Sequence, residues 1–341
     1  MDNKSQMPNP SSKQPRMSDI AEAANVSLAT VSRVLNLPDK VSEDTRLRVI
    51  ETIKRLGYVP DMVAGSLVSR RSHVVGVVIP TITNSLFAET TDGLTSALES
   101  EGYQLMMGSS RYSTEKEAEL VRAMISRRVD AVVLTGTTHE PATHELLRRA
   151  GFPVFEMWNL TENPIDTVVG FSNFEAARQM TLFLARKGYR KIGYLGGLTE
   201  NNDRTQGREE GYLAAISALG QQSNRIVRSE FDFRSGAAAL LELLRHHPDT
   251  DAVFAASDVL AAGVVFECQR QAWEIPDRFG LAGLDDSIIA SELNPPLTTV
   301  RLPRYEMGAR IGREIIARLR DHSSGERIID LGFEIIERSS A

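Results

Sequence analysis

The stretch SLATVSRVLN, residues 27–36, carries hydrogen-bonding side chains where a surface helix usually carries Glu and Lys. Its apolar residues recur at helical spacing, at Leu28, Val31, Val34 and Leu35. The intervening Ser, Thr, Arg and Asn side chains can donate to phosphate oxygens and to base edges, and arginine suits bidentate contact with guanine. The chemistry that this segment favours is recognition of a nucleic acid.

A second set of polar side chains follows apolar runs later in the chain. The loop GGLTENNDRTQGREEGY, residues 196–212, contains Asn202, Arg204 and Arg208, while Asp258 and Asp285 follow two further runs. Ligands of open parallel sheets bind outside the carboxyl ends of the strands. We therefore expect these side chains to line a small-molecule site, although Arg204 could instead pair with a neighbouring carboxylate and Asp258 could cap the helix that follows it.

The size and composition of the chain limit what it can be. With 341 residues and 42% apolar content it is long enough for two or three domains. A single cysteine, Cys268, rules out an internal disulfide and favours a cytoplasmic protein. The first eighteen residues contain no apolar run, so we expect no secretory signal.

Charge is divided unevenly along the chain. Residues 1–71 hold 11 Lys and Arg against 8 Asp and Glu, a balance of +3. The whole chain holds 39 against 45, so the remainder holds 28 against 37, a balance of −9. This weak asymmetry favours a small module that approaches a polyanion while the larger body does not.

Enzyme signatures do not fit the sequence. It has no GxxxxGK[ST] phosphate loop, and GYLGGLTENN lacks the spaced glycines of a dinucleotide site. The segments HEPATH, residues 139–144, and RHHP, residues 245–248, lack zinc-ligand spacing and are interpreted as surface turns. We expect no enzyme activity, no cofactor and no metal.

The N-terminal part is predicted to be a disordered tail, residues 1–16, followed by a three-helix unit, residues 17–60. The first helix begins near Ser18, Asn25 occupies a tight turn, Ser27 caps the second helix and Ser42 caps the third. Helix, turn and helix together form the helix-turn-helix motif, whose second helix enters the DNA major groove. The pattern alone is equally compatible with an ordinary small helical bundle.

From residue 73 onward, apolar strand patterns alternate with helices, which predicts an α/β fold with buried parallel sheets. The similar segments VVGVVIP and KIGYLGG begin two similar halves. We expect two doubly wound subdomains within a core of residues 73–341. One is assigned residues 73–172 with 301–331, and the other residues 173–300 with 332–341.

The segments MSDIAEAANVSLATVSRVLN and VSEDTRLRVIETIKRLGYVPDMVAGSLVSRRS closely resemble the N-terminus of the lac-repressor/galactose-repressor family of transcription regulators. The resemblance implies base reading by Leu28, Ala29 and Arg33, and a hinge helix and linker at residues 61–72. Phosphate contacts are then expected from Ser27, Thr30, Ser32, Asn36 and Lys40. In the hinge, Val63, Ala64 and Leu67 are expected at the DNA, with Leu67 as a minor-groove wedge.

The same resemblance extends through the core and implies a periplasmic-binding-protein-like fold around an effector. It assigns Arg208 and Asp285 to effector binding, and Leu86, Phe87 and Phe231 to the pocket lining. Trp158 replaces an aspartate common in the family, and Arg304 matches a pocket position that is often apolar. Trp158 could alternatively be a core residue, since it ends a strand.

Within that family, the segments PVFEMWNL, VVGFSNFEAARQMTLFLA and VRLPRYEMG resemble the gluconate and 2-ketogluconate branch. The sequence therefore predicts a homodimeric regulator of double-stranded operator DNA, most simply a repressor, controlled by a sugar acid. A neutral sugar effector is the alternative, and a cytosolic sugar-acid enzyme is a more distant one. The C-terminal DLGFEIIERSSA lacks a leucine heptad, so the family's tetramerising tail is not expected.

Overall fold

The computed structural model describes residues 15–59, 71–83, 86–221, 224–321 and 325–341. Residues 1–72 and 73–341 belong to two compact units. Most of the N-terminal tail and the hinge residues Val63, Ala64 and Leu67 lie outside the described residues. Among the helices that are described, none is both long and apolar enough to cross a membrane.

The first unit contains three α-helices around a small apolar core. The helices are α1 (Met17–Ala23), α2 (Leu28–Asn36) and α3 (Glu43–Leu56), with a 3-10 helix at Pro38–Lys40. Val31 and Val34 of α2 are buried against Ile20 and Val49, and Leu35 packs against the same core from a partly buried position. Val31, Val34 and Leu35 of SLATVSRVLN therefore face the interior of this unit, whereas Leu28 does not.

Short-range hydrogen bonds fix the ends of these helices. The Ser27 hydroxyl accepts from the Thr30 amide at 3.1 Å, and Asn25 adopts the left-handed conformation expected of it, with φ 51°. Ser42 occupies the N-cap position of α3, but its hydroxyl donates to the Thr45 hydroxyl at 3.0 Å and makes no capping bond. Helix α1 begins at Met17, one residue earlier than predicted.

The second unit contains two parallel sheets flanked by helices. The strands of the six-stranded sheet are β1 (Val74–Ile79), β2 (Gln104–Ser109), β3 (Ala131–Thr135), β4 (Val154–Met157), β5 (Thr167–Gly170) and β11 (Ile328–Asp330). Those of the four-stranded sheet are β6 (Ile192–Gly197), β7 (Ile226–Ser229), β8 (Ala252–Ala255) and β9 (Gly280–Ala282). The first sheet has the order β11-β5-β4-β3-β1-β2 and the second the order β7-β6-β8-β9, with every pairing parallel. We call the half that contains the six-stranded sheet the first lobe, and the half that contains the four-stranded sheet the second lobe.

Helices connect the strands in the order expected of doubly wound sheets. The first lobe contains α4 (Leu86–Glu99), α5 (Thr114–Ser126), α6 (Pro141–Arg148) and α12 (Arg304–Asp321). The second contains α7 (Asn173–Arg186), α8 (Asp203–Ala218), α9 (Phe233–His246), α10 (Asp258–Gln271) and α11 (Ile288–Glu292). Strand β1 is buried over its last five residues and β3 throughout, which explains their nearly continuous Val, Ile and Leu content.

The chain crosses between the lobes more than once. After β5 it enters the second lobe at α7, returns through β10 (Thr299–Arg301) to α12 and β11, and ends at β12 (Glu334–Ile336), which pairs antiparallel with β10. The Ser340 hydroxyl then donates to the Leu281 carbonyl of β9 at 2.6 Å. Each lobe is therefore built from segments that are distant in the sequence.

A buried ionic cluster lies in the first lobe, where a surface turn was expected. The side chain of His139 is 1% exposed, with Nδ1 at 2.6 Å from Glu117 Oε1 and Nε2 at 3.4 Å from Glu156 Oε1. Burial lowers the pKa of His139, but the two carboxylates outweigh burial and raise this pKa to about 9. The turn interpretation of HEPATH is therefore wrong for His139, which carries a charge inside the lobe.

This cluster predicts a pH-dependent stability. Because the pKa of His139 rises from 6.5 to about 9 on folding, its contribution is complete below pH 6.5 and is lost as the pH rises through 9. We expect His139→Gln to reduce the free energy of unfolding by about 3 kcal/mol at pH 6, and by much less at pH 10. Thermal denaturation of both proteins across that range measures the difference. An equal loss at both pH values would contradict a charged His139.

Candidate functional site

Helix α2 presents the predicted DNA-contacting residues on its outer face. Leu28 is 52% exposed, although it is apolar, and Ala29 and Arg33 are also exposed. Lys40 is exposed on the adjoining 3-10 helix, and the Ser27 and Thr30 hydroxyls lie 2.9 Å apart at the start of α2. Ser32 is half-buried, and the side chain of Asn36 lies outside the described residues. The exposed face thus combines one arginine with small and apolar groups.

A cleft between the two lobes collects most of the predicted effector residues. The space between its lining atoms, including what opens to solvent, is about 370 Å³, but the cavity that water can occupy is only about 30 Å³. The predicted residues that line it are Leu86, Phe87, Trp158, Asn202, Arg204, Arg208 and Phe231. They follow the carboxyl ends of strands from both sheets, which is where open α/β sheets bind ligands.

Arg208 is the most deeply placed cation of the cleft. It is 7% exposed by side chain, and its Nε donates to Asn173 Oδ1 at 2.8 Å while Nη1 donates to the Ala256 carbonyl at 2.7 Å. Its Nη1 lies 3.8 Å from Asp285 Oδ1, which is a charge contact rather than a hydrogen bond. Burial lowers the pKa of Arg208, and Asp285 opposes that shift.

Asp285 lies immediately behind the lining of the cleft. Ser257, a lining residue, donates to its Oδ2 at 2.9 Å, whereas Oδ1 has no hydrogen-bond partner among the described residues. Burial raises the pKa of the Asp285 carboxyl, and Arg208 only partly opposes this. Its φ of 132° also places a non-glycine residue in a strained backbone conformation, as occurs at functional sites.

Asp258 is placed for a structural role. Its Oδ2 accepts from the Ser287 amide at 2.7 Å and its Oδ1 from the Thr299 hydroxyl at 2.6 Å. The cap of α10 is Ser257, and Asp258 is the first helical residue. Asp258 therefore holds the loop after β9 and does not line the cleft.

Trp158 satisfies both interpretations left open by the sequence. It is 1% exposed and packs on Phe87 and Phe171, with ring centroids 5.1 Å and 6.2 Å away, yet it also lines the cleft. Its Nε1 has no hydrogen-bond partner among the described residues, and its φ is 72°. A buried indole donor without a partner is costly, so the cleft retains an unsatisfied donor that a ligand could use.

Arg304 lies outside this cleft lining. Its Nε and Nη2 each donate to the Glu89 carboxylate at 2.9 Å, Nη1 donates to the Asp285 carbonyl, and Nη2 donates to the Asp286 carbonyl at 3.1 Å. The expectation that Arg304 offers its charge to an effector does not agree with this placement. Glu89 neutralises the guanidinium, which ties α4 and α12 to the loop after β9.

Comparison with known proteins agrees with both parts of the structure. The model for bacterial regulatory proteins of the lacI family matches residues 16–61, and the model for the periplasmic binding protein-like domain matches residues 181–341. The HTH-type transcriptional regulator GntR of Escherichia coli K12 is 35% identical over 324 residues, covering 95% of this chain and 97% of GntR. The chain belongs to the lacI family.

Two further relatives support the same assignment. The HTH-type transcriptional regulator IdnR of Escherichia coli K12 is 29% identical, covering 94% of this chain and 96% of IdnR. The crystal structure of a lacI-family transcriptional regulator from Silicibacter pomeroyi superposes with a TM-score of 0.89 at 32% identity, covering 96% and 99% of the two chains. The protein is a DNA-binding transcriptional regulator, and these relatives confirm the predicted fold class and the prediction that it is not an enzyme.

Three residues that line the cleft of this lacI-family protein were missed in the sequence: Tyr112, Thr205 and Ser257. Tyr112 follows β2 directly and has φ 62°. The same strand-end rule that selected Asp258 could have found it, because YQLMMGSS is an apolar run that stops just before Arg111. Burial raises the pKa of Tyr112, so its hydroxyl stays protonated and serves as a neutral donor or acceptor.

Because the Asp285 carboxyl is buried, we predict that its ionised form lowers the free energy of unfolding of the regulator. A carboxyl whose pKa is raised on folding costs stability above that pKa, and costs nothing below its unfolded value near 4. We therefore expect Asp285→Asn to raise the melting temperature at pH 8 and to raise it less at pH 5. Calorimetric melting at the two pH values tests this. A lower melting temperature at pH 8 would show that pairing with Arg208 outweighs burial.

Proposed function

We propose that this regulator is a cytoplasmic repressor that binds a pseudo-palindromic operator as a homodimer, through two helix-turn-helix units. A six-carbon sugar acid of the gluconate or 2-ketogluconate type is proposed as the effector that changes operator affinity. A ligand can do this only if it binds two conformations of the protein with different affinities. The cleft between the lobes is the site that could differ between them.

The exposed face of α2 supports the proposed operator contacts. Arg33 is exposed and carries the donor geometry that matches guanine O6 and N7. Leu28 and Ala29 offer only apolar contact, which suits a thymine methyl group. Ser27, Thr30 and Lys40 lie at or near the helix ends, where contacts to phosphate fix orientation rather than sequence.

Replacing Arg33 tests the base-reading assignment. Arg33→Ala should weaken operator binding by about 1–3 kcal/mol and relax specificity at one base pair, while non-specific DNA binding changes little. Lys40→Ala is the matched control, because a lost phosphate contact should weaken both kinds of binding alike and reduce the salt dependence. Gel-shift titrations on operator and scrambled DNA measure both. Equal losses for Arg33→Ala would identify it as a phosphate contact instead.

The charge balance of the cleft is the observation that carries the effector proposal. Arg204 and Arg208 both line the cavity. Asp203 neutralises Arg204 at 2.9 Å, whereas the acid nearest Arg208 is Asp285, whose raised pKa disfavours its charged form. Arg208 is therefore the cation of the cleft that its neighbours neutralise least, since Asp285 lies 3.8 Å away without a hydrogen bond to it. An anionic ligand restores the balance, and arginine binds carboxylates bidentately.

The remaining groups suit a short polyhydroxylated chain. Asp285 Oδ1 is an unsatisfied acceptor and Trp158 Nε1 an unsatisfied donor, so hydroxyl groups can complete both. Asn202 and Tyr112 add polar groups to the lining, and the Trp158 and Phe231 rings offer apolar surface to a carbon chain. In this assignment Arg204 and Arg208 hold the acid, and Arg304 has no direct part.

Isothermal titration calorimetry tests the ligand class. We expect gluconate or 2-ketogluconate to bind with micromolar or tighter affinity, and glucose not to bind. Arg208→Gln should weaken binding of the acid at least tenfold, because a charge-assisted hydrogen bond contributes more than a neutral one. Arg225→Gln is the matched control, since Arg225 precedes β7 at the opposite end of the second sheet and pairs with Asp249.

One result would contradict the proposed sugar-acid effector. Tight binding of glucose or another neutral sugar, unaffected by Arg208→Gln, would replace the sugar acid by a neutral effector. The family assignment would stand in that case, because it depends on the whole chain and not on the charge of the cleft.

A further inference from the structure

Asp203, a residue to which sequence reasoning gave no function, connects the two lobes at the edge of the cleft. It is the first residue of α8 in the second lobe. Its Oδ2 accepts three hydrogen bonds from the first lobe: from the Thr137 amide at 2.6 Å, the Thr137 hydroxyl at 2.8 Å and Asn159 Nδ2 at 3.0 Å. Thr137 follows β3 and Asn159 follows β4, so one carboxylate oxygen holds the ends of two strands.

The other carboxylate oxygen belongs to the pocket. Asp203 Oδ1 accepts from the Arg204 amide at 3.0 Å and from Arg204 Nη1 at 2.9 Å. Arg204 Nη1 also reaches the Thr135 carbonyl of the first lobe at 3.3 Å. The Asp203–Arg204 ion pair therefore joins the contact between the lobes to the lining of the cavity.

Gly136 makes this close approach of the lobes possible. A Cβ at this position would lie 2.3 Å from Arg204 Nη1 and 2.8 Å from Asp203 Oδ1, and its φ of 94° is one that other residues rarely adopt. The backbone of the first lobe is thus shaped to receive the Asp203–Arg204 pair. A chance surface contact would not require both the missing side chain and the special backbone angle.

A second chain of hydrogen bonds leads from the same contact to Arg208. Asn159, which donates to Asp203, also accepts from Asn173 Nδ2 at 3.3 Å through its Oδ1. Asn173 Nδ2 donates to the Trp158 carbonyl at 2.8 Å, and its Oδ1 accepts from Arg208. The group that closes the lobes is therefore linked to the buried cation on which the proposed effector would act.

We propose that Asp203 is a latch that holds the lobes closed over the effector pocket and so couples occupation of the pocket to the conformation of the regulator. The inference rests on the proposed function in one respect, that the cleft binds the effector. Opening the latch should reduce the closed population, and the apparent effector affinity falls by the same fraction. Asp203 acts through Thr137, Asn159 and Arg204, so it is a positioning residue.

The first experiment needs no effector. The chain has two tryptophans, so the Trp273→Phe background leaves Trp158, which is buried in the cleft, as the sole fluorescent indole. In the full-length protein, Asp203→Ala should increase acrylamide quenching of Trp158 severalfold. Asp203→Asn, whose amide oxygen can still accept from Thr137, should lie between Asp203→Ala and wild type. Glu175→Ala is the control, because Glu175 is also a first-turn acid but pairs locally with Arg178.

The second experiment measures coupling across the cleft. Asp203→Ala and Asn159→Ala should each weaken binding of gluconate or 2-ketogluconate, Asp203→Ala by about tenfold, and the double variant should be no weaker than Asp203→Ala alone. Thr137→Val removes the hydroxyl donor while leaving the backbone amide, and should give a smaller effect in the same direction. It also keeps the test available if Asp203→Ala does not fold.

The outcomes of these two experiments distinguish the proposed latch from the proposed sugar-acid effector. Unchanged Trp158 quenching in folded Asp203→Ala and Thr137→Val variants would overturn the latch, whatever the effector is. Increased quenching together with no sugar-acid binding by the wild-type protein would support the latch and contradict the proposed effector. Strictly additive losses in the Asp203→Ala, Asn159→Ala pair would show that the two residues act separately and would also overturn the latch.

Discussion

A buried arginine imposes the geometry of the cleft. Removing a guanidinium from water is favourable only if acceptors and an opposite charge converge on it. Arg208 obtains two acceptors, from the start of α7 and the end of β8, and the Asp285 carboxyl after β9 lies 3.8 Å away as a charge contact. Those elements must therefore meet at one edge of the second sheet. The unsatisfied oxygen of Asp285 and the strained backbone at Asp285 and Trp158 surround the same point. These unpartnered and strained groups lower the stability of the fold at the place where a ligand would bind.

Much of this arrangement could be predicted from local sequence. Continuous apolar runs identified the buried parallel strands, and three of the side chains that follow them, Asn202, Arg204 and Arg208, do line one cleft, whereas Asp258 does not. Phe87 and Phe231 were assigned to it by the family resemblance. Asn25 was predicted in a left-handed turn from its residue type alone, and its φ agrees. These features depend on residues close together in the chain, where patterns of burial and turn formation are strong.

What local sequence did not predict depends on distant partners. Arg304 resembled a pocket residue, but its carboxylate partner Glu89 lies 215 positions away, and no pattern near either residue indicates the pair. His139 looked like a surface histidine because its two glutamates come from α5 and β4. Asp203 drew attention only as a neighbour of Arg204, since its donors belong to the other lobe. The role of each of these ionisable residues therefore depends on which distant residues the fold brings next to it.

The crossings of the chain have a consequence for its synthesis. The sheet of the first lobe receives its edge strand, β11, from residues 328–330, and α12 packs against α4 from residues 304–321. A nascent chain leaving the ribosome can therefore form the helix-turn-helix unit early, but must hold an incomplete first lobe until translation is nearly finished. Apolar surface that stays exposed during that interval makes an unfinished chain prone to aggregation. A premature stop codon near the C-terminus would leave both lobes unfinished, because β12 and Ser340 also complete the second.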